Sequence, residues 1–228
     1  ALGFILSGFI QRMDRVNSKH LKEAYDGLEV RVIERNLELE VAKRLLSKAN
    51  SELSELAITD GLTGLHNRRH FDEHLNNEWR RCMREKKRLA IIIFDVDFFK
   101  AYNDFYGHQL GDECLQQIGR KLMEMKLSER PGDIVARYGG EEFVICCSDT
   151  TDAYAKKTAE TIRQEITRLS IRHQKTEIES VDYVTVSVGV AIEEARHENS
   201  VEKLINKADK ALYEAKNNGR NKVCTREP

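Results

Sequence analysis

Two acidic clusters hold the side chains with which this sequence can do chemistry. The first is Phe94-Asp95-Val96-Asp97-Phe98-Phe99-Lys100, directly after the apolar run Leu89-Ala90-Ile91-Ile92-Ile93. The second is Gly139-Gly140-Glu141-Glu142-Phe143. A run that is apolar throughout and then ends in Asp-x-Asp reads as a buried strand that delivers carboxylate to a surface. The two glycines let the backbone turn tightly and let a bulky ligand approach it. If the two strands are sheet neighbours, Asp95 and Glu141 can share hard cations such as Mg2+, which take oxygen ligands and phosphate co-ligands. Two such ions about 3.5–4 Å apart would activate an attacking hydroxyl and neutralise a leaving pyrophosphate. Taken singly, Asp-x-Asp is equally a solvated turn, and Gly-Gly-Glu-Glu an ordinary hairpin with charged flanks. Standing together at two strand ends, they become far more specific.

Other groupings carry less. His66, His70 and His74 recur every four residues, a spacing that can bind zinc on a helix. No cysteine or further ligand pattern joins them, and a solvated helix face is the expectation. The basic run Arg80–Arg88 reads as a helix end, where cations suit the dipole, rather than as a nucleic-acid surface. The five cysteines form no CxxC pair, and their odd number argues against a disulfide framework. A reducing, cytoplasmic setting follows, with Cys146 and Cys147 as small buried hydrophobes. The formal net charge of −1 creates no global field for a nucleic acid polymer or an anionic membrane. A nucleotide substrate would have to be met by a local site.

The elements that must position these residues fall into three parts: an apolar segment 1–18, a heptad segment 19–57 and a globular domain 58–228. The first ten residues are apolar and uncharged, whereas a spanning helix needs roughly 20 such residues. They carry no basic n-region or cleavage site, which argues against a signal peptide. Two readings stay open: the inner end of a transmembrane helix, or a short apolar helix start. From Leu21 the apolar positions repeat at 4 and 3 through Tyr25, Leu28, Val32, Leu39, Ala42, Leu46, Ala49, Leu53 and Leu56, with Arg35 breaking the seam. This pattern predicts a dimerising coiled coil, a rod of about 54 Å at 1.5 Å per residue. A lone amphipathic helix packed on the globular domain is the alternative. Beyond it, Thr59–Gly64 reads as a capped turn. Helices are expected over 71–87, 111–126, 151–169 and 201–217, and strands over 89–94, 134–138, 142–147 and 183–192. A hairpin mixed with crossover helices points to an α+β sandwich, one sheet with helices packed on it.

The run Arg137-Tyr138-Gly139-Gly140-Glu141-Glu142-Phe143 resembles the signature of the GGDEF family of diguanylate cyclases in its GGEEF form. The likeness does not end there. Asp60-Gly61-Leu62-Thr63-Gly64-Leu65 with Asn67-Arg68-Arg69 resembles the family's opening motif. Asp95–Lys100, Asn103, Gly107-His108 and Gly111-Asp112 resemble its metal- and guanine-binding segment. Ala211–Lys216 with Gly219-Arg220-Asn221 resembles its closing motif. The matches run collinearly from about residue 57 to 225.

The resemblance implies a palm-like nucleotidyl cyclase sheet and the condensation of two GTP molecules into cyclic di-GMP and two pyrophosphates. It implies two Mg2+ or Mn2+ ions per active site, held by Asp95 and Glu141 with help from the Val96 carbonyl. Glu141, Asp95 and Lys100 would be the catalytic set. The backbone at Phe98 and Phe99 and the Lys100 ammonium would hold phosphates, Asn103 and Asp112 would read the guanine edge, and His108 would lie against the nucleotide. Lys216 and Arg220, one helical turn apart, would reach the triphosphate. Arg130-Pro131-Gly132-Asp133 matches the family's RxxD product-inhibition site, where Arg130 and Asp133 would bind cyclic di-GMP. Some relatives add an Arg on the following helix; here Thr161 takes that place, with Arg163 nearby. Two domains must face each other, so a homodimer through the coil is implied, raising the local concentration of the partner domain to about the millimolar range. The setting expected is a cytoplasmic domain, part of an inner-membrane sensor if the first residues end a spanning helix. A degenerate receptor would lack Asp95, Glu141 or the glycines, and a purely structural adaptor would not need Lys100, Asn103, Asp112, Lys216 and Arg220 together.

Overall fold

A computed structural model describes residue 13, residues 35–48 and residues 58–226. Residues 35–48 are one continuous helix. Leu39 and Leu46, on the predicted seam, are 70% and 73% exposed, and the off-seam Leu37, Val41 and Leu45 are also mostly exposed. Arg35, which breaks the seam, pairs with Glu38 one turn on. The other large seam residues (Leu21, Tyr25, Leu28, Val32, Leu53 and Leu56), Ala49 and the apolar first ten residues lie outside the described residues. Among those described, no helix is long and apolar enough to cross a membrane.

The second unit is built on one six-stranded sheet. Its strands are β1 (His66–Asn67), β2 (Arg88–Val96), β3 (Ile134–Gly139), β4 (Glu142–Ser148), β5 (Val186–Glu194) and β6 (Val223–Arg226), in the spatial order β1-β3-β4-β2-β5-β6. The central strand β2 runs antiparallel to both β4 and β5, while the short edges β1 and β6 lie parallel to their neighbours. Five helices cover it: α1 (Arg68–Glu85), α2 (Phe99–Tyr106), α3 (His108–Glu124), α4 (Asp152–Arg168) and α5 (Val201–Asn217). Along β2 successive side chains alternate between two cores. Ala90, Ile92 and Phe94 pack with α2, α3 and α4, and Leu89, Ile91 and Ile93 with α1 and α5. This double burial explains why the strand reads as an unbroken apolar run. The architecture is the expected α+β sheet flanked by helices.

Local signals set most boundaries. Thr151 and Ser200 cap α4 and α5 by accepting from the N–H groups of Tyr154 and Lys203. Asn67 does the same for His70, so α1 starts at Arg68 rather than at Phe71. The short α2 and the edges β1 and β6 were not expected. The strand expected over 183–192 begins only at Val186, because Tyr183 bridges to Arg172 and Val184 donates to the Ile171 carbonyl. The histidine row is not a solvated helix face. His66 belongs to β1, its ring lies 4.7 Å from that of His70, and His74 Nε2 is 2.9 Å from the Gly132 carbonyl. The basic run splits likewise: Arg84 lies in the last turn of α1, but Arg88 opens β2 and pairs with Asp152. Cys82, Cys114, Cys146 and Cys147 are buried, as expected of small hydrophobes, and Cys224 is half-buried.

Candidate active site

β2 and β4 are neighbours, and their register sets Asp95 opposite Glu142. The β3–β4 turn therefore holds Glu141 beside the end of β2, where the Val96 N–H faces the Glu141 carbonyl at 3.4 Å. Within this turn Gly140 has φ +53°. The sheet-neighbour condition for a shared cation site is met. The Asp-x-Asp pair, however, does not deliver its carboxylates to an open surface. β2 continues through Val96, so Asp95 stays between two strands at 8% exposure and Asp97 at 1%. Burial pushes the Asp95 carboxyl up to about 6, with Glu141 and Glu142 adding to the rise and the Lys216 ammonium opposing it.

Lys216, expected at the triphosphate, pairs with Asp95 at 2.9 Å. Arg220 is not one helical turn further along, because α5 ends at Asn217. It sits in the following turn with φ +58°, its guanidinium 4.1 Å from the centre of the Phe98 ring. The oxygen-only donors of Asp95, Glu141 and the Val96 carbonyl suit a hard divalent cation. The repulsion among crowded carboxylates, relieved here by Lys216, is what such a cation would relieve. Among the described residues no three His, Cys, Asp or Glu side chains form a metal cage. A cation here would complete its shell from phosphate and water, as Mg2+ commonly does.

Phe98, in the left-handed region at φ +55°, precedes the first residue of α2 and turns the chain from strand to helix. The N–H groups of Phe99 and Lys100 thus stand in a first helical turn, where amides lack intrahelical partners. Lys100 is exposed. Asn103 on α2 faces α3 where that helix carries Gly111. A Cβ at Gly111 would stand 1.9 Å from Asn103 Oδ1. That oxygen is buried and accepts no hydrogen bond, so the cradle holds an acceptor awaiting a donor. Asp112, next in sequence to Gly111, is exposed, as is His108 at the start of α3.

Three supporting residues were not assigned roles from the sequence. Asp60 accepts from the Thr63 amide and hydroxyl at 2.9 and 2.7 Å, and Arg137 pairs with it at 3.2 Å. Burial works to raise the Asp60 carboxyl, but those hydrogen bonds and Arg137 hold it below its usual value. Arg137 Nε in turn donates to the Gly140 carbonyl at 2.9 Å, tying the opening motif to the turn that carries Glu141. His173, 1% exposed, sets its ring edge-on to Tyr102, with Nε2 3.3 Å from the Phe98 carbonyl. Since a carbonyl only accepts, that nitrogen carries the proton, and burial depresses the imidazole's pKa. His173 lies in an aperiodic stretch, and no sequence signal marked it.

The RxxD pair lies at the opposite end of the β3–β4 hairpin from the turn. Arg130 stacks on Tyr154, 4.7 Å from the ring centre, and donates to the Asp149 carbonyl. Asp133 is 6% exposed; its Oδ1 accepts from the Ser148 amide at 2.8 Å, and Oδ2 is buried without a partner. Thr161 shares a cleft with Tyr154, Met125 and Leu127. Arg163, expected beside it, is directed elsewhere: it pairs with Glu160 and donates to Asn221 Oδ1 at 2.7 Å.

A family model described as "Diguanylate cyclase, GGDEF domain" matches residues 57–222. Diguanylate cyclase VdcA of Vibrio cholerae is 34% identical over 207 residues, covering 91% of this chain but 57% of that protein. The chain thus spans little more than half the length of that relative. Among solved structures, the coiled coil and GGDEF domain of DgcB from Caulobacter crescentus in complex with c-di-GMP aligns with a TM-score of 0.72 and 28% identity. The alignment covers 87% of this chain and 99% of that one. Diguanylate cyclase SiaD of Pseudomonas aeruginosa, solved with its activator SiaC, aligns with a TM-score of 0.65 and 33% identity, over 97% of this chain and 82% of that one.

Proposed function

The chain belongs to the GGDEF family of diguanylate cyclases, and from that premise we propose that it condenses two GTP molecules into cyclic di-GMP. Each 3′-hydroxyl attacks the α-phosphorus of the other nucleotide, the bond to the β-phosphate breaks, and two pyrophosphates and two protons leave. The observation that carries this reading is the pairing of β2 with β4, which sets the turn bearing Glu141 beside the end of β2 that carries Asp95, together with the buried, unpartnered acceptor of Asn103.

Asp95, Glu141 and the Val96 carbonyl would hold two Mg2+ or Mn2+ ions, whose charge lowers the pKa of an attacking hydroxyl and offsets that of a departing pyrophosphate. Lys216 leaves Asp95 as the nucleotide arrives and turns to its phosphates. The amides at Phe98 and Phe99, with Lys100 and Arg220, neutralise the triphosphate. Asn103 Oδ1 accepts from the guanine amino edge and Asp112 completes the reading, with His108 against the base. Adenine does not present that donor pattern, so ATP would be a poor substrate. The second domain comes from a second copy, joined through the helix over residues 35–48.

Arg130 and Asp133 would bind the product and restrain the enzyme, a reading supported by the unpartnered Asp133 Oδ2 and by the stacking position of Arg130. Arg130→Ala should raise turnover at high product concentration by about tenfold, the worth of one charge-assisted contact. Unchanged inhibition by added cyclic di-GMP would remove this assignment.

The central test is incubation of the purified chain with GTP and Mg2+, followed by anion-exchange separation of the nucleotides, with Glu141→Ala as control. Cyclic di-GMP from the wild type alone is expected. If none forms after bound product has been stripped, a receptor role for the same site takes precedence.

A further inference from the structure

We infer that Asp97 and Arg163 are positioning residues that hold Arg220 at the nucleotide by gripping one turn from two sides. The inference builds on the proposed role of Arg220 at the triphosphate. Gly219, Arg220 and Asn221 have φ of +97°, +58° and +46°, three consecutive residues in the left-handed region. L side chains adopt that region only when surrounding contacts impose it. Here the contacts can be named.

On the inner side, the Asn221 N–H donates to Asp97 Oδ2 at 3.1 Å. The Asp97 carboxylate is itself immobilised: Thr185 Oγ1 donates to Oδ2 and Ser187 Oγ to Oδ1, each at 2.7 Å, and the Asp97 amide donates to the Thr185 carbonyl at 2.9 Å. Three of its four lone-pair sites are taken, which makes Asp97 an anchor rather than a further cation ligand. On the outer side, Arg163 Nη1 donates to Asn221 Oδ1 at 2.7 Å. That guanidinium is fixed by Glu160, at 2.6 Å from Nη2 and 3.1 Å from Nε. Within the turn, the Arg220 amide donates to the Ala215 carbonyl at 3.0 Å, so the turn is also bound to α5.

What this achieves is alignment. Asp97 adjoins Phe98, whose ring lies under the Arg220 guanidinium at 4.1 Å. One short segment therefore carries the cation-site carboxylate Asp95, the anchor of the turn, and the ring on which Arg220 lies. Asn221 is the joint: its amide goes to Asp97, just past β2, and its side chain to α4. Arg163 holds the turn without touching the nucleotide or the carboxylate cluster, and it is the cleaner handle on the inference.

The test is initial-rate kinetics on the full chain for Arg220→Ala, Arg163→Met, Arg163→Lys, Asp97→Asn and the double variant Arg163→Met/Arg220→Ala, each with its melting temperature. Arg220→Ala should raise KM for GTP at least tenfold, and Arg163→Met about fivefold with kcat less affected, the loss of one charged hydrogen bond to the turn. Arg163→Lys should recover part of that loss. Asp97→Asn, which keeps an acceptor for Asn221, should raise KM without abolishing turnover. The double variant should be no worse than Arg220→Ala alone, because the turn matters through the side chain it presents. If Arg220→Ala leaves KM unchanged, the role of Arg220 fails and the inference with it. If Arg220→Ala acts but Arg163→Met does not move KM, or the two losses multiply, the role of Arg220 stands and the positioning inference falls. A fall in melting temperature without a rise in KM would likewise reduce Asp97 and Arg163 to structural residues.

Discussion

Asp95 lies in the sheet ladder within reach of two other carboxylates, and its environment sets a measurable cost. Its carboxyl titrates near 6 in the folded chain, against an ordinary value of 3.8. Below the ordinary value both folded and unfolded chains hold the proton, and the residue contributes nothing. As pH rises through that value the unfolded chain ionises first, so stability falls until the folded carboxyl has also ionised, and the penalty is then constant. Asp95→Asn should therefore stabilise the metal-free protein by roughly 1–3 kcal/mol at pH 7–8, with little gain near pH 3.5, while abolishing cyclase activity. Urea unfolding at a series of pH values checks the sign; a loss of stability at neutral pH would mean that the Lys216 pair outweighs burial. Candidate site residues in contiguous motifs could be named from the sequence because their spacing is local. The ion pair between Lys216 and Asp95 was not foreseen, since only the fold brings the end of the last helix to β2. His173 was not legible at all: it reaches Phe98 from 75 residues away, through a stretch with no periodicity.

At the scale of elements, the packing of α2 on α3 decides what the cradle can read. The two helices meet where Gly111 stands under Asn103, and a methyl group there would collide with the oxygen that has no partner. Gly111→Ala should push Asn103 aside and raise KM for GTP at least tenfold, with kcat and melting temperature less affected; GTP titration by calorimetry gives an independent reading. A melting temperature that collapses with unaltered GTP affinity would count against this account. The sheet was largely readable because β2, β3 and β4 are strongly apolar and the hairpin carries two glycines. α2 escaped notice because it is only eight residues long and buries only Phe99 and Tyr102. β1 and β6 are short edge strands whose pairing depends on neighbours distant in sequence. The start of β5 was misread for a similar reason, the Tyr183 and Val184 backbones being drawn to the 171–172 segment.

For the whole molecule, the helix over 35–48 leaves its leucines mostly exposed. If that surface pairs with a second copy, Leu39→Asp with Leu46→Asp should convert a dimer into a monomer by sedimentation. Specific activity should then fall at least tenfold and rise with protein concentration, as expected when two facing domains must meet by diffusion. A dimer that survives both changes would assign association to another surface. Residue spacing made the heptad visible, whereas its partner cannot be read from one chain. The globular unit has a further property, which follows from the alternation along β4. Cys146 and its sequence neighbour Cys147 point into opposite cores, the first joined by Cys82 and the second by Cys114. Each helical layer thus contains two thiols of its own, while Cys224 stands half-buried on an edge strand. Alkylation rates, resolved peptide by peptide, would time the opening of the α1/α5 layer and of the α2–α4 layer separately, with Cys224 marking the edge.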